Sequence, residues 1–352
     1  MRSISKLVFF IFTSASIAFA QESTVTKQLP VLKTKQSIKN IRYISQDGKV
    51  TYYQKSSGQL QYSTNFDFVN VMNGAKNSNY VLTVSEKHQK LGIEVVENPY
   101  KDFNWQRDHD LYLTGYKKNE KPQKIGEGTS LAFHQDPGVI TYFKPSRRAI
   151  VVKRGETEKR IKIVNDNNPF FIPQVIAISP SDIIYTDINK EGYHAIILYN
   201  LLDQSFEVLY KAKYLSMDIK ICRHKDFLVA GLAPNAGYEV GTKIIMTPLF
   251  RGGMAKNWDQ LYASNTPDIL NMACRGEYVY FLKTKSMNGD LNLLKSSIYK
   301  LKLDYEKRHQ PEEMAYFEKA TSLFELGNLL ITSVNGKYYI VDGELNKESE
   351  KL

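Results

Sequence analysis

One pattern recurs along this chain and narrows its fold more than any other feature: a short strand, a tight turn and a second strand, returning at a nearly constant interval. The clearest copy lies in residues 174–212, QVIAISPSDIIYTDINKEGYHAIILYNLLDQSFEVLYKA. It reads as four short strands at 174–178, 182–186, 194–200 and 206–210, with Ser-Pro-Ser, Asn-Lys-Glu-Gly and Leu-Asp-Gln turns between them. Phe206, Val208 and Tyr210 fall on one side of the last strand, the period of two expected where one face of a sheet is buried. A single meander of this size cannot cover its own faces, so its recurrence decides the architecture.

With Ile178 at the end of the first strand as an anchor, equivalent openings place anchors at Ile44, Val84, Phe133, Cys222, Cys274 and Leu326. Successive anchors are 40, 49, 45, 44, 52 and 52 residues apart by subtraction. That interval is the size of a four-stranded propeller blade. Residues 111–116 with 123–126, 149–153 with 159–164, and 298–303 fill third- and fourth-strand positions in their units. The expected fold is all-β: a seven-bladed β-propeller of four-stranded antiparallel blades over residues 21–345, followed by a polar tail at 346–352. The last unit ends at 337–342 without a fourth strand, and residues 24–32 have nothing local to pair with. Residues 25–32 are therefore expected to join the blade containing Leu326, so that an N-terminal strand closes the ring. Residues 304–319 are the one helix-like stretch, with Pro311, Glu312 and Glu313 as its start, and read as a short insertion between strands.

The segments Ser45-Gln46-Asp47-Gly48-Lys49-Val50-Thr51-Tyr52 and Ser179-Pro180-Ser181-Asp182-Ile183-Ile184-Tyr185 resemble the S-P-D-G-x-x-I-x-Y/F core of TolB-type, WD40-like propeller repeats. Asp110-Leu111-Tyr112-Leu113 resembles the third strand of the same repeat. The resemblance spans most of the chain beyond residue 20 and implies a fold and an exported setting. It does not include the N-terminal α/β domain of TolB, so that protein's role is not carried over.

Residues 1–20 read as a cleaved signal peptide. Arg2 and Lys6 precede an apolar run at 7–18, too short to span a bilayer, and Ala18-Phe19-Ala20 is a small-x-small cleavage site. No later segment reads as a membrane span, and a periplasmic or secreted location is expected. Removing two basic residues and no acidic one lowers the formal charge of +10 to +8. Such a surplus suits a protein or an anionic envelope polymer as partner; nucleic acid is not expected.

Antiparallel order sends the connections after strands two and four to one end of each blade, and those after strands one and three to the other. The first end receives the long segments 98–110, 232–242 and 283–297; segments 250–266 and 304–319 are assigned there as well, although each must also supply a fourth strand. Extended loops on a rigid scaffold are where recognition concentrates. The candidate binding residues are accordingly Trp105, Arg107, Tyr238, Arg251 and Trp258 on long loops, with Arg147, Arg148, Tyr193 and His194 on shorter ones. Aromatic rings supply flat apolar area, and arginine pairs with carboxylate or phosphate. The plainer alternative makes the tryptophans loop anchors packed on the propeller body.

Binding or scaffolding is the preferred function, and an envelope glycan hydrolase or lyase is the alternative, with its site on the same end. Asp108-His109-Asp110 is the main acid–base candidate, yet its side chains diverge in an extended chain, and a solvated loop end is the preferred reading. His88, His134 and His224 lie in first turns of different blades and read as surface histidines, so no metal site is expected. The clustered histidines of pectate-degrading propeller lyases have no counterpart. Cys222 and Cys274 occupy matching positions, each followed by Arg; two buried thiols are preferred, with a disulfide left open. The chain holds no phosphate loop, serine-nucleophile motif or paired-cysteine metal motif, and no cofactor is expected.

Overall fold

The computed structural model describes residues 33–34, 40–64, 67–97, 107–134, 138–164, 171–213, 217–234, 241–250, 253–254, 258–264, 269–287, 290–304, 306–319, 321–335 and 337–344. Strand β1 (Lys33–Thr34) comes first in sequence but pairs with the last sheet. The first local sheet is the meander β2 (Ile41–Ile44), β3 (Val50–Gln54), β4 (Gln59–Thr64) and β5 (Asp67–Asn73). A seven-stranded sheet follows: β6 (Ser78–Ser85), β7 (Lys90–Glu97), β8 (His109–Gly115), β9 (Gln123–Phe133), β10 (Val139–Lys144), β11 (Ala149–Arg154) and β12 (Thr157–Lys162). The next meander is β13 (Val175–Ala177), β14 (Asp182–Ile188), β15 (His194–Asn200) and β16 (Phe206–Lys211). It precedes β17 (Met217–His224), β18 (Phe227–Pro234) and β19 (Lys243–Phe250), with β20 (Gly253–Met254) and β21 (Asp259–Ala263) both paired to β19. The chain ends in β22 (Ile269–Arg275), β23 (Tyr278–Met287), β24 (Asp290–Lys302) and β25 (Glu312–Phe317), then β26 (Leu323–Leu326), β27 (Leu329–Val334) and β28 (Lys337–Asp342). These are six antiparallel sheets, with no α-helix among the described residues.

Every anchor lies on or beside the first strand of a meander, including Phe133 inside the seven-stranded sheet. That sheet is two meanders sharing β9: its Gln123 to Gly128 half pairs with β8, and its Thr129 to Phe133 half pairs with β10. Between the halves Ser130 takes a left-handed φ of 58°. Gly128 meets the second half so closely that an added Cβ would lie 2.5 Å from the Phe143 carbonyl oxygen.

Apolar side chains alternate along the strands and gather between successive sheets rather than at one centre. Tyr52, Leu60, Leu91 and Ile93 fill the space between the first two meanders. The tyrosine rings there pack together: Tyr52 stacks on Tyr116 at 5.9 Å between centroids and meets Tyr62 at a tilt of 41° and 5.4 Å. Equivalent clusters follow around the chain, and the last joins Ile41 and Ile44 of β2 to Leu329 and Ile331 of β27. The first strands also succeed one another in space: β2 lies against β6, β6 against β9, β9 against β13, β17 against β22, β22 against β26, and β26 against β2, while β14 and β15 touch β17. Asn328 N donates to Ile44 O at 2.8 Å, linking the last sheet to the first. Gly327, with φ 63°, packs so tightly on that carbonyl that no side chain fits.

Residues 25–32 lie outside the described residues. The adjoining β1 pairs Lys33 with Ile340 and Thr34 with Tyr339, in the sheet that holds Leu326. Residues 1–20 and 346–352 are likewise outside.

Four expectations are corrected. The helix-like start expected at 311–313 does not form: the stretch 304–319 carries β25, the fourth strand also expected of it, with Ala315 buried and Glu312 paired with Lys300 at 3.4 Å across the sheet. The expected apolar side of β16 is covered only at Tyr210, which packs on a core cluster; Phe206 and Val208 are 69% and 48% exposed, because a bulge at the buried Leu209, opposite Ile196 and Ile197, changes the side that faces inward. Cys222 and Cys274 form a disulfide between β17 and β22, with Cα atoms 5.7 Å apart. His134 and His224 are buried rather than on the surface; His134 Nδ1 lies 3.3 Å from Ser179 O of the neighbouring sheet.

Replacing Cys222 and Cys274 together with alanine is expected to lower unfolding stability by about 2–4 kcal/mol, read from the denaturant midpoint. Thiol labelling of the denatured, unreduced protein is expected to find no free cysteine. Burial, helped by the Lys225 charge, lowers the His224 pKa. The unfolded chain therefore binds the proton more readily, and this residue's share of stability falls as pH drops from about 6.5 toward the lowered value. His224→Asn is expected to flatten that part of the stability–pH curve.

Candidate functional site

Strand order places the described residues 107–108, 145–148, 189–193 and 241–242 at one end of the sheets, in connections between second and third strands. The tight turns, such as those at residues 45–49 and 225–226, lie at the other end. Leu249 N donates to Asp226 O at 2.6 Å, so the connection leaving β19 sits at the tight-turn end.

The long-loop end brings several of the expected residues into one arc. Asp108 Oδ1 accepts the Ser146 backbone N–H at 3.1 Å, and Lys144 Nζ lies 4.0 Å from Asp108 Oδ2. This joins the loop before β8 to the 3-10 turn Pro145–Arg147 after β10. Arg107 and Arg147 are the chain neighbours of that bonded pair, and both are exposed. Arg148 takes a left-handed φ of 49°, which turns its side chain away from Arg147. Its Nη1 donates to Phe171 O at 3.1 Å, and its guanidinium lies 5.3 Å from the Phe143 ring centroid. The Phe171 ring meets His194 edge-on at 5.7 Å. Tyr193 is half-buried, with Lys211 Nζ 4.8 Å from its ring centroid. Lys211 also donates to Glu191 at 3.0 Å and lowers that carboxyl's pKa.

Phe171, Lys211, Lys144 and Ser146 escaped the sequence reading. Lys211 closes a strand rather than a loop, and Ser146 acts through its backbone, so neither stands out by residue type. Trp105, Tyr238 and Arg251 lie outside the described residues. Trp258 does not belong to this arc: residues 250–258 form the connection between third and fourth strands, and Trp258 immediately precedes Asp259, opposite Met246. Its Nε1 donates to Leu209 O at 3.1 Å and its ring meets Tyr210 edge-on at 5.8 Å. It anchors one sheet to the next from a partly buried position.

The acid–base candidates part company. Asp108 turns to Ser146, and Asp110 pairs with Lys124 at 2.6 Å. His109 is 7% exposed rather than solvated, and its Nδ1 lies 2.6 Å from Glu94 Oε1. Glu94 is buried and also accepts from Thr129 Oγ1 at 2.7 Å and from Ser130 N at 3.1 Å. One carboxylate thus ties β7, β8 and the middle of β9 together, exactly where the two meanders of the seven-stranded sheet divide. Asp259 is exposed on β21. Among the described residues no group of three or more His, Cys, Asp or Glu could hold a metal ion, and no helix is long and apolar enough to cross a membrane.

No family model matches the chain, and no curated protein matches it. Among solved structures it is similar to a protein from a structural and mechanistic analysis of two prolyl endopeptidases, at TM-score 0.57 and 10% identity over 86% of this chain and 49% of that one. It is similar to oligopeptidase B from Leishmania major at TM-score 0.55 and 11% identity, over 90% of this chain and 49% of that one. TolB from Acinetobacter baumannii aligns at TM-score 0.43 and 13% identity, over 78% of this chain and 65% of that one. The chain spans about half the length of the first two, and the likeness is to their β-propeller portions. At these identities it concerns the fold alone.

Glu94→Ala would strip two buried donors, His109 Nδ1 and Thr129 Oγ1, and the part-buried Ser130 N–H of their acceptor. It is expected to cost about 3 kcal/mol or more of stability, measured by denaturant unfolding, and Glu94→Gln about half as much.

Proposed function

We propose that this chain is an exported seven-bladed β-propeller that binds an anionic partner of the cell envelope, an acidic polymer or an acidic protein surface, through its long-loop end. The closed succession of first strands and the hydrogen bond from Asn328 to Ile44 support a ring. Counting the two meanders that share β9 separately supports seven blades. The basic, apolar and small-x-small order of residues 1–20 supports export to the periplasm or beyond, as does a disulfide, which persists in oxidising compartments.

The observation that carries the binding reading is the Asp108–Ser146 contact. It fixes two connections from successive meanders against each other, with the exposed Arg107 and Arg147 each one residue along the chain from the contact. Arginine forks suit carboxylate and phosphate groups, and preorganisation limits the entropy lost on binding. Binding is favoured over glycan cleavage because Asp108, His109, Asp110 and His194 turn to different partners instead of toward one reacting point.

The double variant Arg107→Glu with Arg147→Glu tests the reading. In co-sedimentation with an isolated envelope fraction at low ionic strength, it is expected to bind about tenfold more weakly than the parent protein. Its melting temperature should stay the same, because both side chains are exposed. Undiminished co-sedimentation would exclude this end as the binding surface.

A further inference from the structure

A second basic site lies at the tight-turn end, away from the arginine rim. The turn between β7 and its preceding strand β6 and the turn between β8 and β9 enclose an open cleft of about 630 Å³. His88, Lys90, Thr114, Lys118, Glu120 and Lys121 are among its lining residues. The two turns are knitted together: Tyr116 N donates to Gln89 O at 2.9 Å, and Thr114 Oγ1 donates to Glu120 O at 3.1 Å. Gln89 holds a left-handed φ of 51°, and its side-chain amide donates to Glu86 O at 2.6 Å. Gly115 lets the stem of Lys118 cross the strand, since an added Cβ would lie 2.5 Å from Lys118 Cδ. The backbone of the two turns that carries these exposed lysines is therefore held in place by hydrogen bonds.

Its charge is one-sided. Glu86, the acidic residue of the first turn, reaches away to the preceding sheet, where its Oε1 accepts from Tyr43 Oη at 2.7 Å and from Gln46 N at 2.8 Å. Among the described residues lining the cleft, Glu120 is the one carboxylate, beside Lys118 and Lys121 of its own turn and Lys90 of β7. It lies 3.3 Å from Lys118, with both side chains more than half exposed. An exposed pair of this kind is worth at most about 1 kcal/mol, so a stronger anion can displace it.

We propose that this cleft binds a multiply charged phosphate group, such as a diphosphate or the phosphate end of a larger ligand. Lysine ammonium groups are compact point charges that match the charge density of phosphate, whereas planar carboxylates favour arginine forks. The cleft is larger than a single phosphate, which leaves room for a second phosphate or for the body of an ester. The site is independent of the arginine rim, and neither reading requires the other.

The experiment is calorimetric titration of the full chain with inorganic pyrophosphate at low ionic strength, with citrate as a carboxylate control. Saturable binding at one site is expected, with affinity for pyrophosphate above that for citrate. Lys118→Glu with Lys121→Glu is expected to weaken pyrophosphate binding about tenfold or more and to leave the melting temperature unchanged. Arg107→Glu with Arg147→Glu should leave it as it was. Absence of saturable binding by the parent protein, undiminished binding by the lysine variant, or equal loss in the arginine variant would overturn the cleft assignment. Citrate binding as tight as pyrophosphate would overturn the phosphate assignment.

Discussion

A short antiparallel meander has two faces, and in this chain each depends on a neighbouring meander to keep it from water. Burying a large apolar side chain is worth roughly 1.5–3 kcal/mol, so a row of such residues on both faces makes solitary blades untenable. Tyr52, Leu60, Leu91 and Ile93 show the arrangement at one seam, and Ile41, Ile44, Leu329 and Ile331 show it where the two ends of the chain meet. Polar bonds add direction at these seams: Gln54 Nε2 donates to Ser78 O at 2.6 Å, Thr83 Oγ1 to Leu131 O at 2.8 Å, and Gln174 Oε1 accepts from Ile221 N at 2.7 Å. Apolar burial supplies the adhesion, and these bonds set the register in which neighbouring sheets meet.

The meanders were legible in sequence because strand alternation and turn chemistry are local. His194–Asn200 matches its expected bounds, and the other strands of residues 174–212 agree within two residues. What escaped depends on distances between meanders. Nothing in the spacing of Cys222 and Cys274 says that equivalent points on adjacent first strands come within 5.7 Å at Cα. The helix reading of residues 304–319 rested on Pro311 and two glutamates. The pairing of Glu312 with Lys300, Glu313 with Tyr299 and Ala315 with Ile298 overrides that local preference.

The candidate face was legible in part. Sorting connections by strand order located Arg107, Arg147, Arg148, Tyr193 and His194 at one end, because each adjoins a clear second-to-third-strand connection. The same rule failed for Trp258 because the fourth strand expected within residues 250–266 has no bounds legible in the sequence. These residues hold a short hairpin partner, Gly253–Met254, and the whole of Asp259–Ala263. Once that strand is recognised, the tryptophan moves to the far end. The residues that lock the arc together, Ser146 through its backbone N–H and Phe171 through its carbonyl, act by main-chain atoms that residue identity does not reveal.

The undivided course of β9 has a mechanical corollary. Here one ribbon of backbone is the last strand of one meander and the first strand of the next. With Glu94 clamping its midpoint, tilting either half must drag the other along. Arg107 and Arg147, the chain neighbours of Asp108 and Ser146, lie on the two meanders coupled in this way. A ligand resting across both would meet one body rather than two.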